Sequence, residues 1–239
     1  MNIPKHSNIK GVIFDLDNTL VDFTVMKEAA VEAAALAMMD AGLQLSIDEI
    51  KLKIYGVYEI EGIEFQNVFD EVLHEITGKV EPKILAAGIV AYRRAREAML
   101  VPYPHARNTL VTLIRMGLKT AVVSDAPALQ AWLRLRYLQL DDLFNTVVTF
   151  DDTGERKPSP KPFLLALNIL GLEAAETVML GDWIERDIVG AKKIGMKTVH
   201  ARYGEGADKK KYPRIADAAI DDIGDLVDIV MKWNTKDIL

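Results

Sequence analysis

The stretch Val12 to Leu20, VIFDLDNTL, decides how this chain is read. Gly11 to Phe14 is an apolar run of the kind that forms a buried strand. Two carboxylates, Asp15 and Asp17, follow at once, then Asn18 and Thr19. Two carboxylates two residues apart repel each other where water is restricted, unless a cation or a shared proton relieves them. Acids at the carboxyl end of a strand in an open parallel sheet also sit where such folds bind ligands. A plainer reading of the same residues is a strand running into an Asx-rich turn. The choice between the two rests on the parts the rest of the chain supplies.

Working outward from Leu20, the pattern turns helical. Residues 26–41 are alanine-rich with apolar residues at helical spacing, and Gly42 is a stop. Ser46 and Glu49 match a capping box for a helix to about Tyr58. Gly56 and Gly62 are expected to flank a break containing Glu59 and Glu61. Residues 65–76 read as a helix ended by Gly78, and 82–99 as another. Residues 22–101 thus form an expected all-helical insert.

Past Pro102 the pattern alternates. A helix from Pro104 to Gly117 leads to a strand at 119–124, a helix at 127–138 and a strand at 146–150. A helix at 160–170 ends at Gly171, and a strand at 177–180 runs into Gly181-Asp182. A helix at 187–194, a strand at 197–200, a short strand at 218–220 and a helix at 222–233 complete the order. Strands alternating with helices imply right-handed crossovers and an α/β fold with a doubly wound, mostly parallel sheet. The expected boundaries are a core of 1–21 and 102–239 interrupted by 22–101.

Composition narrows the function. Of 239 residues half are apolar, enough for a sizeable core, and the formal charge of -6 argues against a general nucleic-acid binder. There is no cysteine, which excludes disulfides, thiolate catalysis and cysteine-ligated zinc. No apolar run reaches transmembrane length and the first residues lack a signal-peptide core, so a cytoplasmic protein without a membrane partner is expected. The residues leave a monomer or a homodimer open.

The polar residues after the core strands gather on one edge if the sheet is parallel. They are Asp15 and Asp17, then Ser124, then Lys157, then Asp182 and Asp187. Clustered carboxylates suit a hard cation, and Mg²⁺ takes one or two of them with waters and a substrate phosphate. Asp15 can attack phosphorus and form an aspartyl-phosphate. Asp17 can protonate the leaving oxygen and later deprotonate the attacking water. Ser124 and Lys157 can hold phosphoryl oxygens. Asp182 can bind the metal, and Asp187 can support it or the lysine, with a helix N-cap as its plainer role. Asp125 reads as a cap of the following helix or as a backbone contact to substrate.

DLDNT at 15–19, VVSDA at 122–126, RKPSPKPF at 156–163 and GDWIERD at 181–187 together resemble the haloacid dehalogenase superfamily, over essentially the whole chain. The resemblance implies a Rossmann-like core with a cap domain, the insert matching a helical C1-type cap, which favours small substrates. It is closest to the phosphatase branch, with Asp15 as nucleophile and Asp17 as acid/base. There Mg²⁺ is held by Asp15, the backbone carbonyl of Asp17, and Asp182. Thr19 is grouped with Ser124 and Lys157 at the phosphate, or else positions Asp17 or shapes the turn. The third motif often has aspartate where Ser159 stands; its lysine is kept as Lys157, which is preferred over Lys161.

The implied function is a Mg²⁺-dependent phosphatase of a small phosphorylated metabolite. A phosphomutase of the beta-phosphoglucomutase kind is the alternative, and a 2-haloacid dehalogenase is opposed by Asp17. A non-catalytic phosphate-binding protein is the remaining reading. Phosphonate cleavage would need a Schiff-base lysine, and none of Lys27, Lys51 and Lys53 stands out. His6, His74, His105 and His200 lack metal-ligand spacing, and Lys209-Lys210-Lys211 reads as a solvated run. Trp183 lines an entrance or packs in the core.

Overall fold

The structure is a computed structural model that describes residues 8–204 and 215–235. His6 and Lys209 to Lys211 lie outside the described residues. The chain divides into two compact units, Met1–Asp22 with Val101–Leu239, and Phe23–Leu100.

In the first unit the described residues form one parallel sheet of six strands: β1 (Gly11–Phe14), β2 (Lys119–Val123), β3 (Thr146–Val148), β4 (Thr177–Gly181), β5 (Lys197–Ala201) and β6 (Ala218–Ile220). The order is β3-β2-β1-β4-β5-β6, and every neighbouring pair is parallel. The apolar run of β1 is central and buried on both faces, which is why it is continuous rather than alternating. Ile13 pairs with Ala121 and Met179. These side chains join Val123, Val148 and Phe163 in a core on one face of the sheet. The chain runs outward through β2 and β3, then returns to place β4 on the other side of β1. The carboxyl ends of β1 and β4 therefore lie side by side where the strand order reverses, the usual crevice of such folds.

The helices of this unit depart from expectation at their ends. Pro104 precedes rather than begins α5 (Ala106–Arg115), because His105 takes a positive φ of 66° just before it. His105 itself is exposed and pairs with Asp222. Between α6 (Ala128–Tyr137) and α7 (Phe150–Thr153), β3 stops at Val148, earlier than expected. Thr149 and Asp152 form a capping box that turns Phe150 into a helix. α8 (Pro160–Leu170) runs as expected, capped by the Ser159 hydroxyl and ended by Gly171. The helix expected from Asp187 begins earlier, as a π-helical turn at Ile184–Ile188 that continues into α9 (Val189–Lys193). α10 (Asp225–Thr235) closes the described chain.

The second unit contains α1 (Phe23–Asp40), α2 (Ile47–Glu61), α3 (Val68–Thr77) and α4 (Pro82–Met99). The Ser46–Glu49 capping box opens α2. Gly56 does not break it; the helix continues until Gly62 takes a φ of 93°. Ala34, Ala35 and Met38 of α1 share a core with Ile50, Ile54, Val72 and Leu73. Lys27 is buried here: its Nζ donates to the Ile63 carbonyl (2.8 Å) and the Tyr92 hydroxyl (2.9 Å), 4.0 Å from the Tyr58 ring centre. Lys51 pairs with Glu32 and Lys53 with Glu75. No helix among the described residues is long and apolar enough to cross a membrane.

Phe163 is fully buried in the sheet core. Phe163→Ala is expected to destabilise the unit by about 3–5 kcal/mol through lost burial and the cavity left behind. A urea titration measures it; a loss under about 1 kcal/mol would mean the α8 face packs differently.

Candidate active site

Five residues past the start of β1, the chain leaves the sheet and curls tightly. Asp15 still belongs to the ladder, its N–H donating to the Leu180 carbonyl at 2.9 Å. Asn18 then takes a φ of 57° and donates to Val21 O at 2.7 Å, while Leu20 N–H returns to Leu16 O at 2.9 Å. Asparagine tolerates this left-handed backbone better than most residues. The turn is braced from the end of β5: the Tyr203 hydroxyl donates to the Thr19 carbonyl at 2.9 Å. Gly204 lies so close that a Cβ there would stand 1.7 Å from the Asn18 carbonyl oxygen. Glycine is required at 204 by this approach of backbone to backbone.

Lys157 reaches the same place from the loop before α8. Its backbone N–H donates to Asp125 Oδ1 at 2.8 Å. Its buried Nζ stands 2.6 Å from Asp15 Oδ1 and 3.0 Å from the Val123 carbonyl, donating to both. It also lies 2.6 Å from Asp187 Oδ1, an ion pair whose angle falls short of a hydrogen bond. Burial opposes the ammonium charge, yet Asp15, Asp187 and Asp125 hold it well above the ordinary lysine value. Lys161 is exposed and pairs with Glu155 instead.

Asp187 is not an N-cap. It sits inside the π-helical turn, fully buried, and its Oδ2 accepts the Trp183 N–H at 3.0 Å. Single π turns are a recurrent way of redirecting one side chain at a functional site. Gly181 makes the room: a Cβ at 181 would lie 2.3 Å from Asp187 Oδ2. Asp182, next in the chain, accepts from the Thr19 hydroxyl at 3.3 Å. Thr19, expected at a phosphate or in the turn, has its hydroxyl directed to Asp182. Thr19 is wholly buried and braces Asp182.

One oxygen of each of Asp15, Asp182 and Asp187 falls within 4.8 Å of the others. Burial first, then the charges of Asp15 and Asp187, push Asp182 up to about 9. Burial likewise raises Asp187, to about 7, with Asp15 adding and Lys157 opposing. One ammonium does not balance three carboxylates. The oxygen-only donor set and this residual repulsion fit a hard divalent cation.

Ser124 lies at the end of β2, nearly buried, where its Oγ accepts the Ala126 N–H at 3.2 Å. That contact uses a lone pair, so the hydroxyl keeps its proton to donate. Asp125 does not cap α6; Asp151 does, accepting the Ala128 N–H. Asp125 instead joins the Lys157 backbone to Arg186, whose Nη1 donates to Asp125 Oδ2 at 3.2 Å and whose guanidinium stacks 3.9 Å from the Trp183 ring centre. Trp183 is half exposed, on the rim rather than in the core. His200 is buried near this edge, with Nε2 3.1 Å from the Asp182 carbonyl. Asp17 is held by Arg134 of α6, with Nη1 donating to Oδ2 at 3.0 Å. Arg134 and Arg186 were both missed by sequence reasoning. Each looks like an ordinary surface cation on a short helical stretch, and no local signal marks either.

A parallel sheet with carboxylates and a buried lysine on its carboxyl edge defines an α/β protein with a charged site at its switch point. A profile of haloacid dehalogenase-like hydrolases matches residues 12–201, and the chain belongs to that family. Among curated relatives, the glyceraldehyde 3-phosphate phosphatase of Methanocaldococcus jannaschii is 36% identical over 222 residues, covering 93% of this chain and 97% of its own. That of Methanopyrus kandleri is 37% identical over 228 residues, again with 93% and 97% coverage. The crystal structure of a phosphatase of this family from Thermococcus onnurineus superposes with a TM-score of 0.66 at 24% identity, covering 93% and 98% of the two chains, which shows the shared fold.

The raised carboxylates make a sign prediction. A folded-state pKa above the ordinary aspartate value, about 4, means the folded protein binds extra protons between that value and its own. With Asp182 near 9 and Asp187 near 7, this contribution to stability is lost as pH rises through the window. A divalent cation competes with those protons, so the rise in Tm on adding Mg²⁺ is expected to be larger near pH 8 than near pH 5. Equal shifts at both pH values, or none, would remove the cluster as a cation site.

Proposed function

We propose that the chain is a Mg²⁺-dependent phosphatase of small phosphate monoesters that works through an aspartyl-phosphate on Asp15. The observation that carries this reading is the buried contact of Lys157 Nζ with Asp15 Oδ1, 2.6 Å, beside the carboxylates of Asp182 and Asp187. A carboxylate held by a fixed ammonium cannot swing away, so it stays pointed where an incoming phosphorus would sit. The two relatives are named phosphatases and match over 93% of this chain and 97% of their own, which supports the same reaction class.

In this mechanism Asp15 attacks phosphorus, and the bond to the ester oxygen breaks. Asp17 delivers a proton to the departing alkoxide. Ionised by that transfer, Asp17 then takes a proton from water, which attacks the acyl-phosphate and returns Asp15 with inorganic phosphate. Ser124 donates to a phosphoryl oxygen, and Lys157 offsets the charge that builds on the transferring group. Asp187 keeps Lys157 in place. Asp15, Asp182 and the Asp17 carbonyl would hold Mg²⁺, which supplies charge neutralisation at the phosphoryl oxygens when bound. The chemistry is assigned to residues 1–21 and 102–239, and substrate selection to the helical insert, 22–101. The named activity of the relatives makes glyceraldehyde 3-phosphate the first metabolite to test.

Phosphate release from p-nitrophenyl phosphate is expected to require Mg²⁺ and to fall at least ~1000-fold in Asp15→Asn, about 4 kcal/mol of transition-state stabilisation. Asp17→Asn is expected to lower turnover while leaving inhibition by inorganic phosphate measurable. Wild-type turnover in Asp15→Asn would sink the nucleophile assignment. Release of phosphate from glyceraldehyde 3-phosphate no faster than from unrelated esters would detach the substrate from that of the relatives.

A further inference from the structure

Arg134 is a buried cation on a helix that otherwise carries its charges outward. Its side chain is 6% exposed, and its Nη1 donates to Asp17 Oδ2 at 3.0 Å. Two residues on, Arg136 of the same helix is 74% exposed and pairs with Asp141. An exposed pair of the second kind is worth little. A guanidinium taken out of water stays charged, and its desolvation has to be offset by a well-placed partner. The Asp17 carboxylate is that kind of partner within the sheet unit.

The surroundings of Asp17 say what such a contact does. Its backbone is pinned by the tight turn: Asp17 bridges to Val21, and Asn18 N–H donates to Val21 O at 2.7 Å. The backbone leaves only the two side-chain torsions to be set. A hydrogen bond from a buried guanidinium to Oδ2 narrows both, because large turns of the carboxylate would break it. We propose that Arg134 is a positioning residue for the phosphatase reaction. It holds the Asp17 carboxylate in the one orientation from which Asp17 exchanges a proton with the leaving oxygen and then with water. This inference rests on the reading of Asp17 as the general acid and base. Misplacing a reacting group by about 1 Å can cost on the order of 100-fold in rate, which sets the size of effect to look for.

A double-mutant cycle on the full-length protein with saturating Mg²⁺ and p-nitrophenyl phosphate tests it. Turnover is referred to the folded fraction by circular dichroism. Arg134→Met is expected to lower kcat by about 10–100-fold, with KM and the inhibition constant of inorganic phosphate changed less than about 2-fold. Arg134→Lys, which keeps the charge but not the fork, recovers part of the loss and serves in the same cycle if the methionine variant does not fold. In an Asp17→Asn background the Arg134 substitution is expected to cost less than about 2-fold more, since the group it acts through is gone. Arg136→Met controls for removal of a cation from α6 and is expected to keep wild-type kcat. An equal fold-loss in both backgrounds would overturn the inference. So would an unchanged kcat in Arg134→Met, or a loss confined to KM. Wild-type turnover in Asp17→Asn would instead overturn the underlying role of Asp17, and these outcomes are distinguishable in one data set.

Discussion

Lys157 Nζ, buried between Asp15 and Asp187, is the point of balance for the whole carboxyl edge of the sheet. Three carboxylates brought within 4.8 Å in a place short of water would otherwise repel one another strongly. One ammonium cancels part of that repulsion; burial first, with the remaining repulsion from Asp15 adding to it, raises Asp182 and Asp187. A site left with surplus negative charge favours a divalent cation. The lysine is held by Asp125 through its own backbone N–H, so the balance extends one layer outward to Arg186 and Trp183.

The fold supplies this crowding by topology and by two close approaches. Adjacency of β1 and β4 sets Asp15 and Asp182 on neighbouring strand ends, although 167 positions separate them in the chain. Gly181 opens the space into which the π-helical turn swings Asp187, and Gly204 lets the end of β5 press on the turn at Asn18. Thr19 ties that turn to Asp182. The helical unit has its own buried cation, Lys27, which meets a carbonyl, a hydroxyl and an aromatic face.

Much of the architecture was legible along the chain because it depends on short-range chemistry. The apolar run of β1, the Ser46–Glu49 box, the Ser159 cap with Gly171 as a stop, and the alternation past Pro102 all act within a few residues. The misread ends have local causes as well. Thr149 and Asp152 turned a strand end into a helix, and Gly56 stayed inside α2, where a solitary glycine costs only about 1 kcal/mol. The acidic and basic residues of the site could be named from their order after successive strands, since a parallel sheet brings those ends to one edge.

By itself the sequence determined the alternation of strands and helices, the set of polar residues at the strand ends, and the preference for Lys157 over Lys161 by motif position. Only the tertiary structure decided what those residues touch. Thr19 turned to Asp182, Asp125 became a link between two loops rather than a cap, and Asp187 entered the cluster from inside a π turn. Arg134 and Arg136 are the clearest case: the same residue type, two positions apart on one helix, one buried against Asp17 and the other in solvent. Local propensity is identical for the two. Their difference comes from which side of the helix meets a strand end more than 100 residues away, and that is a property of packing alone.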